Sequence, residues 1–301
     1  MSIVLITGGS GMIGKAVAAH LISKGYSVRF LLRDKHKTNG SSTFYWNYQS
    51  EEIDENAFDN VDYVINLAGA TINQRWTFKH KQEIYDSRIM STNFLFNHIK
   101  KNRIKIKKFI SVSATGYYGD TTAEKLNENS PSGNDFLAMV CRDWENSAKQ
   151  FNDIKTPVCI LRLGVVMSVK GGFVKGISNL IKKYLGVHLG SGKQFVSWIA
   201  LSDLCNLFTH TIEKNLVGTY NATASNPMTM EQIDNAIAKF YHRKIWLPNI
   251  SAKLLKMVLG EMSSMILSSC RTSNEKIKTT GFVFQYEEFD KILNEETRIE
   301  N

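Results

Sequence analysis

The residues with the clearest chemical meaning stand near the start of the chain: Thr7-Gly8-Gly9-Ser10-Gly11-Met12-Ile13-Gly14. Glycines let a backbone turn sharply and approach a pyrophosphate closely. A helix beginning there aims unpaired N–H groups and a partial positive charge at the phosphates. Two spacings overlap, Gly9, Gly11 and Gly14 as GxGxxG and Gly8, Gly11 and Gly14 as GxxGxxG. An ordinary glycine turn needs neither spacing, and the flanking pattern decides between them. Apolar Ile3-Val4-Leu5-Ile6 reads as a strand, and Ile13, Val17, Leu21 and Ile22 read as one face of a helix. Strand, glycine turn and helix follow in the order a dinucleotide site requires.

About twenty positions further on, such sites read the adenosine ribose, with an acid for NAD and a basic residue for a 2′-phosphate. Here a second apolar run, residues 28–32, leads into Arg33-Asp34-Lys35. Arg33 offers a planar face for adenine and a donor fork for phosphate, and Lys35 and Lys37 add positive charge. NADP is the expected cofactor; Asp34 keeps NAD open.

The elements that must position these residues alternate along the first half. Strands are expected over residues 2–7, 27–33, 43–47, 61–67, 107–113 and 157–163, with helical patterns over 12–24, 80–101 and 135–151. That alternation predicts an α/β fold, a Rossmann-type doubly wound parallel sheet covered on both faces. Ile89, Thr92, Phe96 and Ile99 lie at three- and four-residue spacing and read as core. Beyond residue 165 the rhythm changes: glycine-marked loops, a strand over 194–199, a short strand at 218–221, a helix from about Thr229, and a mostly helical 250–295 broken at Gly281-Phe282. The expected organisation is an NAD(P)-binding domain over residues 1–165 and a smaller α/β substrate lobe over 166–301, the two able to interleave around a cleft.

Composition narrows the class. The chain has 301 residues, 43% hydrophobic and 22% charged, as in a soluble globular protein. No apolar run is long enough to span a bilayer, and the first strand begins by residue 3, which leaves no room for a signal peptide. Cys141, Cys159, Cys205 and Cys270 are scattered without a CxxC pair, so free thiols in the cytoplasm and no metal site are expected. The net charge of +9 invites a nucleic-acid reading. Its densest stretch, residues 100–108, lies between a helix and a strand and reads as a solvated loop. The expected partner is a small-molecule substrate, with no specific nucleic acid and no membrane; the oligomeric state is open.

Several motifs in order make the chain resemble the extended short-chain dehydrogenase/reductase superfamily, which includes nucleotide-sugar epimerases and dehydratases. The glycine loop is joined by Asn66-Leu67-Ala68-Gly69, Ser111-Val112-Ser113-Ala114 and Leu161-Arg162-Leu163-Gly164. More narrowly, it is similar to an "epimerase family protein" branch with a C-terminal helical region. Arg75-Trp76, Asp86-Ser87-Arg88, Gly116-Tyr117-Tyr118-Gly119, Cys141-Arg142-Asp143-Trp144-Glu145, Gly190-Ser191-Gly192, Ser197-Trp198-Ile199, Asn221-Ala222-Thr223-Ala224, Leu259-Gly260-Glu261-Met262 and Gly281-Phe282 carry that likeness. The resemblance implies that Leu67, Ala68, Gly69, Leu163, Gly164 and Val165 line the dinucleotide. It also implies NADP-dependent oxidoreductase or epimerase-like chemistry on a small or nucleotide-linked carbonyl or hydroxyl compound.

The same resemblance implies a Ser, a Tyr and, four residues on, a Lys at the reacting centre. Ser113 fills the serine position. The following helix, Phe136-Leu137-Ala138-Met139-Val140-Cys141-Arg142, has no tyrosine in any register, and anchoring by Glu145 puts Leu137 and Cys141 where Tyr and Lys belong. Tyr118, just before Gly119, and Tyr117 are the candidate substitutes for the acid, with cleft packing as their other reading. Arg75, Arg88 and Lys193 could together bind a carboxylate or phosphate. Asp203 is expected to cap a helix near residue 201. The alternative function is an NAD(P)H-binding sensor that has lost efficient chemistry.

Overall fold

The computed structural model describes residues 1–121 and 125–298. Eight strands form one sheet: β1 (Ile3–Thr7), β2 (Ser27–Leu32), β3 (Thr43–Asn47), β4 (Glu52–Ile53), β5 (Val61–Asn66), β6 (Lys108–Ala114), β7 (Val158–Leu163) and β8 (Gly218–Ala222). Their order is β8-β7-β6-β5-β1-β2-β3-β4, all parallel except the edge strand β4. The chain winds outward from β1 in both directions, so a crevice opens above the C-terminal ends of β1 and β5, where such sheets bind ligands.

Side-chain alternation explains why both faces are covered. In β1, Val4 and Ile6 join one core cluster while Leu5 joins the other. Ile110 and Val112 against Phe109 in β6, and Cys159 and Leu161 against Val158 and Ile160 in β7, split in the same way. On the first face lie α1 (Met12–Ser23) and, from later in the chain, α6 (Leu201–Glu213). The second face is covered by α3 (Ile89–Lys101), whose Leu95, Phe96 and Ile99 are buried. Ile89 and Thr92 are buried too. The helix α4 (Phe136–Lys149) packs its Ala138, Cys141, Trp144, Glu145 and Ala148 side inward.

Where one helix was expected over 80–101, the chain forms two, α2 (Phe78–Asp86) and α3, broken at Ser87-Arg88. The break is satisfied by side chains. Arg88 Nη1 donates to the orphaned Ile84 carbonyl at 3.0 Å, and Ser87 Oγ accepts from Ala70 N at 2.8 Å.

The second lobe has its own core around Trp198, Ile233, Ile237, Phe289 and Ile292. Its helices include α5 (Gly172–Lys182), α7 (Met230–Phe240), which a Thr229–Gln232 capping box starts, and α8 (Ala252–Leu259). From beyond residue 165, β8 joins the main sheet and α6 packs on its first face. Within the mostly helical 250–295, Arg271–Thr272 pairs with Lys125–Leu126 as a short parallel ladder. Asp203 is no cap. Its carboxylate accepts from the backbone N–H groups of Gln285 and Tyr286, both at 2.9 Å, and so ties down the C-terminal segment. The 100–108 stretch is not wholly solvated either, since Lys108 is fully buried and donates to the Thr211 carbonyl at 3.2 Å. No helix among the described residues is long and apolar enough to cross a membrane.

Candidate functional site

The glycine loop closes the C-terminal end of β1. Gly8 has φ +69° and lies so close to the neighbouring strand end that a Cβ would stand 2.5 Å from the Leu67 carbonyl oxygen. A Cβ on Gly14 would stand 2.5 Å from the Gly8 carbonyl oxygen, so the first turn of α1 is pressed onto the loop. Phe30 of β2 occupies the space a side chain on Gly9 would need. Ser10 and Gly11 are exposed. No side chain caps α1, and no acid sits in its first turn. The first-turn N–H groups are therefore left for an anion, which is the fit a pyrophosphate needs.

Thr7 has a different place from the one expected of it. It is fully buried, and its hydroxyl donates to Asn66 Oδ1 at 2.7 Å while accepting from the N–H groups of Leu67 and Ala68 at 3.1 Å. Asn66 Nδ2 in turn donates to Thr92 Oγ1 at 2.8 Å. The Thr7 side chain thus holds the backbone of Leu67 and Ala68 at the β5 end. Met12 and Ile13 are half-buried, and the Met12 sulfur packs against Gly171 of the second lobe. Across the crevice, Leu163 and Gly164 are buried and Val165 is half-buried. The Ser197 backbone comes so close that a Cβ on Gly164 would meet its carbonyl oxygen at 2.6 Å.

Arg33 is exposed and makes no ion pair or hydrogen bond among the described residues. Asp34 beside it is spent locally, accepting from His36 N at 3.1 Å and pairing with Lys37 Nζ at 3.1 Å. The Lys37 and His36 bonds hold its carboxyl below the usual range. Lys35 is held by Glu52 at 3.0 Å.

Ser113 ends β6 with its Oγ buried; beyond contact with the Cys141 thiol it makes no hydrogen bond among the described residues. Burial pushes the Cys141 thiol up to about 11, which keeps it protonated near neutral pH. Leu137 and Cys141 both lie against Gly116, just beyond the β6 end.

The two tyrosines part company. Tyr118 is 2% exposed; its hydroxyl donates to Asn221 Oδ1 at 2.7 Å and accepts from Arg162 Nη1 at 2.9 Å. Burial raises its phenol to about 12. It belongs to the wall, with its hydroxyl committed to Asn221 and Arg162. Arg162 is held in turn by Glu145 through two buried bonds, and Glu128 joins the network by accepting from Asn221 N at 2.8 Å. Tyr117 is half-buried, with the Arg162 guanidinium carbon 3.4 Å from its ring centroid. No hydrogen bond holds its hydroxyl among the described residues.

The three basic candidates sit in different settings. Arg75 and Lys193 are exposed and make no ion pair among the described residues. Arg88 is part of the floor: its guanidinium lies on Gly69, donates to the carbonyls of Ile84 and Ala70, and sits 5.3 Å from the Trp144 ring. It has no carboxylate partner among the described residues, and burial pushes its pKa down. Gly192 of the Lys193 loop packs instead against Glu231 of α7 and His188.

Sequence reasoning missed Asn221, Glu128 and the His188–Asp234 pair at 2.9 Å. Only Asn221 carried a signal, in the Asn221-Ala222-Thr223-Ala224 motif at the end of β8. No cluster of His, Cys, Asp and Glu suited to a metal ion occurs among the described residues.

Comparisons with known proteins agree with this geometry. Residues 4–222 match the model of the NAD dependent epimerase/dehydratase family, and residues 250–296 match a domain of unknown function, DUF1731. An epimerase family protein of Staphylococcus saprophyticus is 35% identical over 288 residues, spanning 94% of this chain and 95% of its own. A human epimerase family protein, SDR39U1 isoform 2, solved with NADPH, superposes with a TM-score of 0.87 at 27% identity and covers 98% of this chain and 99% of its own. Thermus thermophilus UDP-glucose 4-epimerase, solved with NAD, shares the fold alone, with a TM-score of 0.76 at 17% identity, covering 98% of this chain and 99% of its own. An uncapped glycine turn over a parallel sheet, a serine at the β6 end and a match across residues 4–222 place this chain in the NAD dependent epimerase/dehydratase family.

Proposed function

We propose that the chain is an NADP-dependent oxidoreductase or epimerase-like enzyme acting on a small or nucleotide-linked carbonyl or hydroxyl compound. The observation that carries the chemistry is Ser113 Oγ, a buried hydroxyl with no hydrogen bond beyond its contact with Cys141, at the C-terminal end of β6. Such a group is costly to bury unless a ligand oxygen completes it. When bound, the nicotinamide accepts or supplies hydride. The glycine loop N–H groups would hold its pyrophosphate, Leu67–Gly69 and residues 163–165 would flank it, and Arg33 would meet a 2′-phosphate. The engagement of Asp34 by Lys37 and His36 supports NADP over NAD, and so does the NADPH of the human neighbour.

Ser113 orients the reacting oxygen. Tyr117 moves the proton, since its hydroxyl is uncommitted among the described residues and its ring rests on the Arg162 guanidinium at the cleft wall. Arg88 keeps a positive charge at the floor, and Arg75 and Lys193 are available to a charged part of the substrate. The free, high-pKa cysteines fit a reducing, cytoplasmic setting.

A second reading, an NADPH-binding sensor, draws on Leu137 and Cys141 in place of an acid and a base. Loss of absorbance at 340 nm against a panel of aldehydes, ketones and nucleotide sugars separates the two. Turnover that falls in Ser113→Ala and Tyr117→Phe supports the enzyme. NADPH binding with no consumption across the panel supports the sensor. Arg33→Ala should weaken NADPH about tenfold or more while sparing NADH, the loss of a charge-assisted bond; equal effects on both would remove the NADP assignment.

A further inference from the structure

The net charge of +9 is not spread over the molecule. Residues 170–193 hold five lysines, and residues 239–260 hold Lys239, Arg243, Lys244, Lys253 and Lys256; neither segment contains an Asp or Glu. The remaining residues balance to within one charge. These two segments lie side by side: Leu189 bridges Ile250, Ile250 N donates to the His188 carbonyl at 3.0 Å, and the Arg243 guanidinium stands 4.6 Å from the Tyr184 ring. None of the ten cations makes an ion pair among the described residues.

The same face is apolar. Tyr184, Leu185 and Trp246 are 55%, 54% and 69% exposed. Helix α8 follows directly from Ser251, and it buries only Leu255. Its Leu254, Met257 and Val258, at three- and four-residue spacing, are 44%, 73% and 57% exposed and share one face, flanked by Lys253 and Lys256. Exposed apolar groups gathered in this way mark an interaction site rather than ordinary surface.

We infer that this face docks on an anionic lipid surface. The chemistry favours that occupant over others. Leu254, Met257 and Val258 enter the acyl boundary, Trp246 and Tyr184 sit at headgroup level, and the lysines reach outward to lipid phosphates. Nucleic acid would meet the cations but leave the aliphatic side chains against phosphate and water. A second copy meeting the same face would bring ten positive charges against ten. The expectation of no membrane partner rested on spanning length, which says nothing of a surface bound from one side.

The test is co-sedimentation of the full chain with vesicles of phosphatidylcholine alone and of phosphatidylcholine mixed with phosphatidylglycerol. Binding is expected to the mixed vesicles only, and to fall as salt rises. Met257→Asp, and separately the pair Lys253→Glu and Lys256→Glu, should each weaken it about tenfold. All these positions are exposed, so the thermal midpoint should stay that of the parent chain. Equal binding to both vesicle types, no binding to the mixed ones, or patch variants that bind like the parent would overturn the proposal. So would a dimer in sedimentation velocity that Met257→Asp dissolves, which would make a second copy the occupant. Retardation of duplex DNA without vesicle binding would overturn it in favour of nucleic acid.

Discussion

Arg162 and Glu145 meet in a buried two-pronged pair, Nε to Oε1 at 2.7 Å and Nη2 to Oε2 at 2.9 Å, with side-chain exposures of 3% and 1%. The strand β7 supplies one partner and the inner face of α4 the other. Removing one partner leaves the other as an unpaired charge out of water. Glu145→Ala should therefore cost about 3–5 kcal/mol in urea unfolding. A loss below 1 kcal/mol would mean that water reaches Arg162.

Tyr118 and Tyr117 should answer to different measurements. Tyr118→Phe strips one bond from Asn221 and one from Arg162, so a stability loss of about 1–3 kcal/mol is expected, with turnover preserved. Tyr117→Phe should leave the unfolding midpoint near the parent value and lower turnover by about 10²–10⁴-fold. The reverse pattern would restore Tyr118 as the acid.

Gly14 separates helix propensity from packing. Alanine is the better helix former, yet its methyl would face the Gly8 carbonyl oxygen at 2.5 Å, a backbone atom that cannot swing aside. Gly14→Ala should destabilise by about 1–3 kcal/mol and weaken NADPH binding. An unchanged fluorescence titration with NADPH would show that the loop can widen.

Asp234 sets a pH dependence. Burial raises its carboxyl to about 6, against the opposing pull of His188. Between about pH 4 and pH 6 the folded chain holds a proton that the unfolded chain has released. Stability therefore falls as pH rises through that window, by up to about 3 kcal/mol from this group. In Asp234→Asn the decline across the window should flatten. An identical pH profile would remove Asp234 as its source.

Strand positions were legible because parallel strands buried on both faces leave unbroken apolar runs. The glycine loop was legible because its geometry admits little else than glycine at Gly8 and Gly14. The break at Ser87-Arg88 was not, since it depends on a carbonyl of Ala70 that the helix pattern does not contain. Nor could the chain order say which phenol of Tyr117-Tyr118 turns inward. That is decided by Arg162 and Asn221, which lie 44 and 103 residues beyond Tyr118 and become neighbours only when β7 and β8 join the sheet. The ladder that sets Arg162 beside Asn221 and the one that sets it beside Ser113 are both long-range, and local periodicity carries no trace of them.

A Cβ on Gly171 would stand 2.8 Å from the Met12 sulfur, so the turn opening α5 rests on the first residue of α1. The nucleotide crevice is thus built from both ends of the chain's history of synthesis. Its loop leaves the ribosome early, while the turn that closes over it, and the strand β8 that completes the sheet, arrive much later. A nascent chain carrying the whole glycine motif would still lack the Gly171 turn and β8, so the crevice is complete only in the finished molecule and not in its amino-terminal half.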